Sequence, residues 1–504
     1  MTISSPGSRR AAGMLLHPTS LPGPHGMGDI GRVARSFIDW LSSAGLSLWQ
    51  VLPLNPTSNN SPYMCWSAFA GNPLLIDLHG LVGLGLLDPS DLANPPRPTE
   101  HVDFDAVTAF KSPRIERAAD KLLRSPHHPL ARSLARFREE ERWAHDAALF
   151  WTLKRAHAMK PFWEWPLALR DRVPAALADA EAAHREAIDR MVATLFLFEH
   201  QWSELHAYAR ERGVQLMGDL PIYVDRDSVD VWSNQHLFDL SEGAVPSEVS
   251  GVPPDYFSEK GQLWGNPLYA WDAMAKDDFS WWRARLRRVL THTDICRIDH
   301  FRAFAAYWAV PFGAPDARSG RWRKGPGSAF FEAIRKHEGE LPLVAEDLGI
   351  IDDEVTLVRK AAGLPGMRVL QFAFGGDAAN THLPHNHEAD SVVYPATHDN
   401  DTTNGWWRTA SDGTRIHAGM YIGILVDRAN RGDVAWDFVR AAFASVGRIA
   451  IVSAQDVLGL GTEARMNDPS TAKDNWRFRL AADPFTPELA RKVRDLAGLY
   501  GRLV

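Results

Sequence analysis

The sequence has little cysteine and no long apolar or basic segment, and each absence excludes a class of protein. Its two cysteines, Cys65 and Cys296, cannot form a disulfide framework, so we expect reduced, packed thiols in a cytoplasmic protein. No apolar run reaches the ~18 residues of a membrane span, and no apolar stretch suited to a secretory signal follows MTISSPGSRRAAG. A net charge of −7 without a Lys/Arg cluster argues against nucleic acid as a partner.

The composition is that of a globular protein that is rich in tryptophan. Of the 504 residues, 45% are hydrophobic and 23% are charged, which is enough apolar material for a large core. The chain contains 19 tryptophans. Core packing accounts for most of them, but flat aromatic faces also stack on the C–H faces of sugar rings. A carbohydrate ligand is therefore one of the possibilities that the other residues must test.

Eight short apolar runs that end in polar or Gly/Pro residues alternate with segments of helical periodicity. Such alternation predicts parallel βαβ units, and eight strands are the number that closes a (β/α)8 TIM barrel of the α/β class. The runs are 13–20, 46–54, 214–224, 295–301, 341–349, 367–374, 391–399 and 449–459.

The spacing of these runs is uneven at one place, between the second and the third. Residues 84–195 lie there and are rich in Ala, Arg, Glu and Leu at helical spacing, which predicts an inserted, mainly helical subdomain within a barrel spanning residues 1–504. The 45 residues after position 459 end in a helical segment. They are too few for an appended C-terminal β-sandwich, so we expect none.

Four carboxylates follow the C-terminal ends of separate runs. Asp219, Asp299, Glu346 and Asp399 would converge on one rim, because barrel sites form at the C-terminal ends of several strands. Each alone could be a helix N-cap, but four together indicate a site. Side chains alternate along a strand, so Arg297 would share a face with Asp299, pair with its carboxylate and keep it ionised.

Converging carboxylates favour glycosyl transfer over metal chemistry. The HDND of 398–401 could ligate a hard cation through oxygen, but no second His or Cys group with ligand spacing accompanies it, so we expect neither a metal nor a cofactor. Glycosyl transfer needs one ionised carboxylate as nucleophile and one protonated carboxyl as acid. Asp299 suits the first role, and Glu346 suits the second if burial raises its pKa. Asp399 and His398 would then hold sugar hydroxyls.

Two aromatic-rich segments agree with a sugar ligand. The sequence GVPPDYFSEKGQLWGNPLYAW (251–271) lies within a long Gly/Pro-rich segment, 243–272, for which we predict a loop that forms a lid over the site. A surface loop anchored by its own aromatics is the alternative. The segment NSPYMCWSAFAGNP (60–73) provides a second aromatic edge.

Eight motifs, in order along almost the whole chain, resemble those of the 4-alpha-glucanotransferases, the amylomaltase or disproportionating-enzyme group of glycoside hydrolase family 77 in the α-amylase clan. They are LLHPTSLPGPHGMGDIG (15–31), SPY…SAFAGNP (61–73), GDLPIYV (218–224), GVPPDYFSEKGQLWGNPLY (251–269), RIDHFR (297–302), AEDLG (345–349), THDND (397–401) and EARMNDP (463–469).

The resemblance implies roles for individual residues. Asp299 would be the nucleophile, Glu346 the general acid/base and Asp399 the transition-state stabiliser. The substrate-binding residues that it implies are Tyr63, Asp219, Tyr256, Phe257, Gln262, Trp264, Arg297, His398 and Asn467. The implied activity is retaining transfer of α-1,4-glucan segments to the 4-hydroxyl of glucose or a maltooligosaccharide.

Two other functions remain as alternatives at this stage. An α-amylase-type hydrolase would use the same carboxylates but admit water, and the absent sandwich and the long 243–272 segment favour transfer instead. A non-catalytic glucan-binding protein on a decayed barrel would have lost at least one of Asp299, Glu346 and Asp399, and all three are present.

Overall fold

The structure is a computed structural model that describes residues 9–254, 258–471, 473–480 and 484–503. Over these residues the chain forms strands β1 (Ala11–Leu15), β2 (Leu48–Gln50), β3 (Gln215–Leu220), β4 (Leu240–Ser241), β5 (Val245–Pro246), β6 (Glu248–Val252), β7 (Gln262–Pro267), β8 (Ile295–Ile298), β9 (Ala306–Pro311), β10 (Arg321–Lys324), β11 (Leu343–Ala345), β12 (Gly366–Val369), β13 (Ser391–Tyr394) and β14 (Ile449–Ser453). The helices are α1 (Arg32–Ser43), α2 (Leu78–Gly83), α3 (Phe104–Leu123), α4 (Ala131–Glu140), α5 (Arg142–Ala156), α6 (Leu167–Arg170), α7 (Pro174–Glu211), α8 (Val229–Ser233), α9 (Trp271–Ala275), α10 (Ser280–His292), α11 (Ser328–Glu338), α12 (Asp353–Ala362), α13 (Thr403–Thr409), α14 (Asp412–Ile422), α15 (Val426–Arg431), α16 (Ala435–Ala444), α17 (Ala454–Leu458) and α18 (Pro487–Leu499).

Eight of the strands form one parallel barrel. Their order is β11-β8-β3-β2-β1-β14-β13-β12. The two ends of this order meet where the backbone N–H of Ala345, in β11, donates to the carbonyl of Pro365, just before β12, at 2.9 Å. Each of the eight predicted runs overlaps one barrel strand. The predicted (β/α)8 TIM barrel is confirmed.

The local sequence explains how these units form. All four residues of β8 are buried, as a parallel strand covered on both faces requires. Helix α12 begins where the Asp352 side chain accepts a hydrogen bond from the N–H of Val355, and it ends at Gly363, whose left-handed φ of 70° suits glycine. At Gly13 a Cβ would lie 2.5 Å from the Cβ of Leu48, so only glycine allows β1 to approach β2 this closely.

Helices fill the long connection between β2 and β3. Residues 84–195 contain α3 to α6 and the first half of α7, and α7 then continues to Glu211, shortly before β3. The connection packs through aromatic contacts such as that between Trp66 and Trp151, whose rings stack with centroids 4.8 Å apart. After Ser453 the described residues form helices and no further strand, as expected for a chain without a C-terminal sandwich.

The segment 243–272 differs from the loop that the sequence predicts. It holds β5, β6 and β7, and β6 and β7 join β9 and β10 in a four-stranded antiparallel sheet of order β10-β9-β6-β7. Within the segment β6 pairs with β7, with a register shift between Val249 and Gly251, and β6 also pairs with β9, about sixty residues further along the chain. Tyr256 and Phe257 lie outside the described residues.

A buried arginine holds the N-terminal end of the barrel together. Arg502 is completely buried, and its guanidinium donates to carbonyls at the start of β1 and just before β14, including Ala11 at 3.0 Å and Arg448 at 3.2 Å. It also donates to Phe443 at 2.7 Å and to Gly447 at 2.9 Å. Burial, followed by the repulsion of Arg10, lowers the pKa of Arg502 to about 9.

Candidate active site

A cleft of 1980 Å³ opens at the C-terminal ends of the barrel strands. Arg297, at the end of β8, and the carboxylates Asp299, Glu346 and Asp399, which follow β8, β11 and β13, line it together. The parallel strands carry these residues to one rim because every strand runs in the same direction. Of the four carboxylates predicted to converge, these three line the cleft, whereas Asp219, on β3, is buried and is not among the cleft-lining residues.

Arg297 is shared between two aspartates. Its Nη1 lies 2.7 Å from both carboxylate oxygens of Asp219, and its Nη2 lies 3.1 Å from Oδ1 of Asp299. The predicted pair with Asp299 therefore forms, but Asp219 on the neighbouring strand β3 is the closer partner, a choice that depends on strand order. Burial works to lower the pKa of Arg297, yet the two carboxylates raise it well above its usual range.

Asp299 and Glu346 both have raised pKa values. Burial raises the pKa of Asp299 to about 7, with Asp219 and Asp399 adding to the rise and Arg297 opposing it. Burial also raises the pKa of Glu346 well above its usual range, again against Arg297. Of these two carboxyl groups, Asp299 is the one that forms an ion pair with Arg297, so Arg297 favours the ionised form of Asp299 more directly than that of Glu346.

The backbone at His300 fixes the position of Glu346. The N–H of His300 donates to Oε2 of Glu346 at 2.5 Å. His300 has a φ of 46°, in the left-handed region that costs a non-glycine residue about 1–3 kcal/mol. This strained turn links the residue after Asp299 directly to Glu346, so the two carboxyl groups are positioned as one unit.

Asp399, which follows β13, sits in a polar network. The amide of Asn467 donates to Oδ1 of Asp399 at 2.6 Å, and Nε2 of His398 lies 3.4 Å from Oδ2. The hydroxyl of Tyr63 donates to Asp219 at 2.6 Å and lies 2.7 Å from Nε2 of His398. Because that hydroxyl has a single proton, it accepts from Nε2–H of His398. Burial lowers the pKa of His398, although Asp399 opposes the shift.

The four-stranded sheet provides an aromatic wall. Trp264 on β7 lines the cleft, with its Nε1–H donating to Oε1 of Gln262 at 3.0 Å. Its ring meets the ring of His300 edge-on, at 4.8 Å between centroids. Gln262 also lines the cleft.

The family model for 4-alpha-glucanotransferases, of glycoside hydrolase family 77, matches residues 16–484. The chain belongs to the 4-alpha-glucanotransferase family. It is 47% identical over 510 residues to the chloroplastic/amyloplastic 4-alpha-glucanotransferase of Arabidopsis thaliana, covering 100% of this chain and 88% of that one. It is 45% identical to the 4-alpha-glucanotransferase of Thermus thermophilus over 98% of this chain and 99% of that one.

A solved structure agrees with this membership of the 4-alpha-glucanotransferase family. The amylomaltase of Streptococcus agalactiae, determined in complex with acarbose, superposes with a TM-score of 0.94 at 35% identity. The match covers 98% of this chain and 100% of that chain. The resemblance seen in the eight motifs is thereby confirmed, and so is the barrel.

Two cleft residues were missed by the sequence analysis although they lie in or beside family motifs. His300 follows Asp299 within RIDHFR, where Arg297 and Asp299 are the more obvious candidates for a site. Trp476 lies shortly after EARMNDP, has a φ of 67° and lines the cleft. Its ring lies 5.5 Å from that of Tyr63 and 6.0 Å from that of His398, between centroids. Its position relative to the barrel is the only signal that finds it.

The described part of the chain shows no sign of a metal centre or a membrane segment. Within it, no three or more His, Cys, Asp and Glu side chains are grouped so as to hold a metal ion. None of its helices combines the length and apolarity that crossing a bilayer requires. Cys65 and Cys296 are both buried and free.

Proposed function

We propose that this protein is a retaining 4-alpha-glucanotransferase acting on α-1,4-glucans, with Asp299 as nucleophile, Glu346 as general acid/base and Asp399 as the stabiliser of the transition state. The observation that carries the assignment is the unequal environment of two neighbouring carboxyl groups. Asp299 has a cationic partner 3.1 Å away, whereas Glu346 accepts a backbone N–H, with no cation bonded to it among the described residues, and has a pKa raised well above its usual range. One ionised and one protonated carboxyl are what double displacement requires.

The first step breaks the glycosidic bond of the donor. A carboxylate oxygen of Asp299 attacks the anomeric carbon while the proton of Glu346 passes to the departing glycosidic oxygen. A β-glycosyl ester on Asp299 and an ionised Glu346 result. In the second step Glu346 takes the proton from the 4-hydroxyl of an acceptor sugar, whose oxygen displaces Asp299 and forms a new α-1,4 bond.

Asp399 and its neighbours would hold the sugar whose anomeric carbon reacts. Asp399 is 41% exposed and faces the cleft, so it can accept hydrogen bonds from sugar hydroxyls and offset the positive charge that develops on the ring. Asn467 and His398 orient it. Asp219 contacts Arg297, and Tyr63, which lines the cleft, contacts Asp219 and His398, so we assign Asp219 and Tyr63 to positioning Arg297 and His398 as well as to substrate binding.

Transfer requires that an acceptor sugar compete successfully with water, and the aromatic wall supports this. We propose that the segment 243–272 acts as the lid of the acceptor side, with Gln262 and Trp264 contacting the acceptor. The same role stays a prediction for Tyr256 and Phe257. For residues 84–195 we propose an inserted helical subdomain that has a packing role.

We further propose that glucose or a short maltooligosaccharide serves as acceptor, that no cofactor is needed, and that neither nucleic acid nor a membrane is a partner. A cytoplasmic location fits the two free, buried cysteines.

The test is incubation of the purified protein with maltotriose, with product lengths followed over time by chromatography. We expect a ladder of longer maltooligosaccharides together with released glucose. Accumulation of glucose and maltose alone would mean that water is the acceptor, and the hydrolase alternative would replace this proposal. An Asp299→Asn sample prepared in parallel should form neither set of products.

A further inference from the structure

The first family motif, residues 15–31, contributes no residue to the lining of the active-site cleft, although it follows a barrel strand. Its histidine His17 lies two residues after β1 and is buried. In the barrel, β14 lies between β1 and β13, and β13 precedes His398 and Asp399. The fold therefore brings the end of β1 to the part of the rim that holds Asp399.

A small cavity of 20 Å³ lies at the ends of these three strands. The polar residues that line it include His17, Thr397, His398, Ser453 and Gln455. It borders the cleft, because Thr397 lines both spaces, whereas His398 lines the cavity and not the cleft. A space of this volume accommodates one water molecule when about three polar partners surround it.

Three groups at the cavity have hydrogen-bonding capacity that the described residues do not use. His398 donates through Nε2–H to the hydroxyl of Tyr63, which leaves Nδ1 as an acceptor. The amide nitrogen of Gln455 donates to the carbonyl of Ala464 at 3.2 Å, which leaves the amide oxygen Oε1. The ring of His17 makes no hydrogen bond to the described residues, and its Nδ1 is completely buried.

Neither histidine carries a charge near neutral pH. Burial, followed by the repulsion of His398, lowers the pKa of His17 to about 3, and burial also lowers the pKa of His398. A neutral imidazole has one N–H donor and one acceptor nitrogen. One water molecule can therefore accept from the N–H of His17 and donate to both Nδ1 of His398 and Oε1 of Gln455, which uses both of its protons.

We propose that this cavity binds one water molecule, which joins His17 to Nδ1 of His398 and makes His17 a positioning residue for Asp399. The role of Asp399 rests on the proposed glucanotransferase function. The water keeps the proton of His398 on Nε2, which lies 3.4 Å from Oδ2 of Asp399. Without the water contact the proton can move to Nδ1, and the nitrogen that faces Asp399 becomes an acceptor that repels the carboxylate.

The first measurement is a neutron diffraction structure of the wild type, which locates the water oxygen and the hydrogens on both rings. We expect a water oxygen about 2.7–3.2 Å from Nδ1 of His398 and from a ring nitrogen of His17, with the hydrogen of His398 on Nε2. A cavity without this water, or a hydrogen on Nδ1 of His398, would overturn the proposal. This result does not depend on activity.

Substitution of His17 tests its part in the reaction. His17→Leu removes the donor, so kcat with maltotriose should fall about tenfold while KM changes by less than about twofold, because Asp399 acts in the transition state. His17→Gln, which restores an N–H, should recover part of kcat. The loss in His17→Leu should be the same with α-maltosyl fluoride as donor, because the contact concerns Asp399 and not protonation of the leaving group.

His25 supplies a matched control in the same motif. It is also buried, and its Nδ1 has no partner among the described residues, but it lines neither the cavity nor the cleft. Burial, followed by the repulsion of nearby cations, lowers its pKa to about 4. His25→Leu should therefore leave kcat of the folded protein unchanged.

Equal losses of kcat in His17→Leu and His25→Leu, or an unchanged kcat in His17→Leu, would overturn the positioning role. If His17→Leu does not fold, the neutron structure and the kcat of His17→Gln decide. A wild type that forms no longer maltooligosaccharides from maltotriose would instead defeat the proposed function and leave the neutron result standing, so the two failures are distinguishable.

Discussion

Two buried arginines lie at opposite ends of the barrel, and their surroundings shift their pKa values in opposite directions. Arg297, at the C-terminal rim, is surrounded by carboxylates, and its pKa is raised well above the usual range. Arg502, at the N-terminal end, is surrounded by backbone carbonyls, and its pKa is lowered to about 9. The contacts of Arg297 keep ionisable carboxyl groups together at the cleft, and the contacts of Arg502 join the ends of neighbouring strands.

This contrast divides the molecule into a reactive rim and a structural base. At the rim, burial raises the pKa values of Asp299 and Glu346, a cost that a purely structural region would avoid. At the base, the buried cation of Arg502 faces backbone carbonyls and the neighbouring Arg10, and no carboxylate bonds to it among the described residues. Substitutions at the rim should therefore change activity more than stability, and substitutions at the base should do the reverse.

The largest loss of activity should come from Glu346→Gln, which keeps the shape of the side chain but removes its proton transfer. We expect kcat/KM with maltotriose to fall by about 10²- to 10⁴-fold, with no loss of thermal stability. With α-maltosyl fluoride as donor, the first turnover should recover as a burst of fluoride, because fluoride needs no acid, whereas later turnovers stay slow because Glu346 is also the base of the second step. Glu340→Gln, an exposed change before β11, is the matched control and should be neutral. Loss of the fluoride burst as well would contradict the acid role.

Arg297→Met should lower both activity and stability, unlike the other substitutions at the rim. It leaves Asp219, which is 3% exposed, without its cation, so unfolding free energy should drop by about 3–5 kcal/mol. Activity should fall by roughly 10²- to 10³-fold, because Asp299 then takes up a proton more readily. Denaturant unfolding and initial rates measure the two effects. Arg297→Lys, which keeps the charge without the planar fork, should lie between the wild type and Met. Full activity in the Met variant would show that Arg297 is not needed to keep Asp299 ionised.

Asp219→Asn should sharpen the contrast through pH dependence. Asp299 must be ionised to attack, so kcat/KM of the wild type should decline as the pH falls through about 7. The charge of Asp219 raises the pKa of Asp299, so its removal should move this acidic limb to lower pH by about one unit. The alkaline limb, which follows loss of the Glu346 proton, should move less. An acidic limb shifted upward would show that the sign is wrong.

Arg502→Ala should have the smallest effect on catalysis. Several buried carbonyls lose their donor, so unfolding free energy should fall by about 3 kcal/mol, while kcat of the folded protein at 25 °C stays within about twofold of the wild type. Arg502→Lys, with fewer directed donors, should recover part of the stability. A large loss of kcat without a loss of stability would remove the distinction between rim and base.

The barrel and the carboxylates at its C-terminal rim could be predicted from sequence because both leave local signals. An apolar run that ends in Asp or Glu is visible without knowledge of its neighbours, as at Asp219, Asp299 and Glu346. Strand bounds were less accurate: the run 341–349 contains a strand of three residues, Leu343–Ala345.

Other features depend on pairing between distant segments and left no local signal. That Arg297 is closer to Asp219 than to Asp299 follows from β3 lying beside β8. The pairing of β6 with β7 is local to 243–272, but the four-stranded sheet also requires β9 and β10, which come about sixty residues later. Trp476 has a left-handed backbone conformation and lines the cleft, and a tryptophan in the sequence does not predict that conformation.

The Arg502 contacts also bear on how the chain is made. They lie where β1 pairs with β14, and the register joins Ala11 to Ile449, which the ribosome adds 438 residues later. At about 5–20 residues per second, one edge of β1 waits roughly 20–90 s for its neighbour. During that time it is an unpaired strand edge of the kind that aggregates. We therefore expect nascent chains arrested before residue 449 to be protease-sensitive at β1 and to bind chaperones, until β14 and Arg502 emerge and close the barrel.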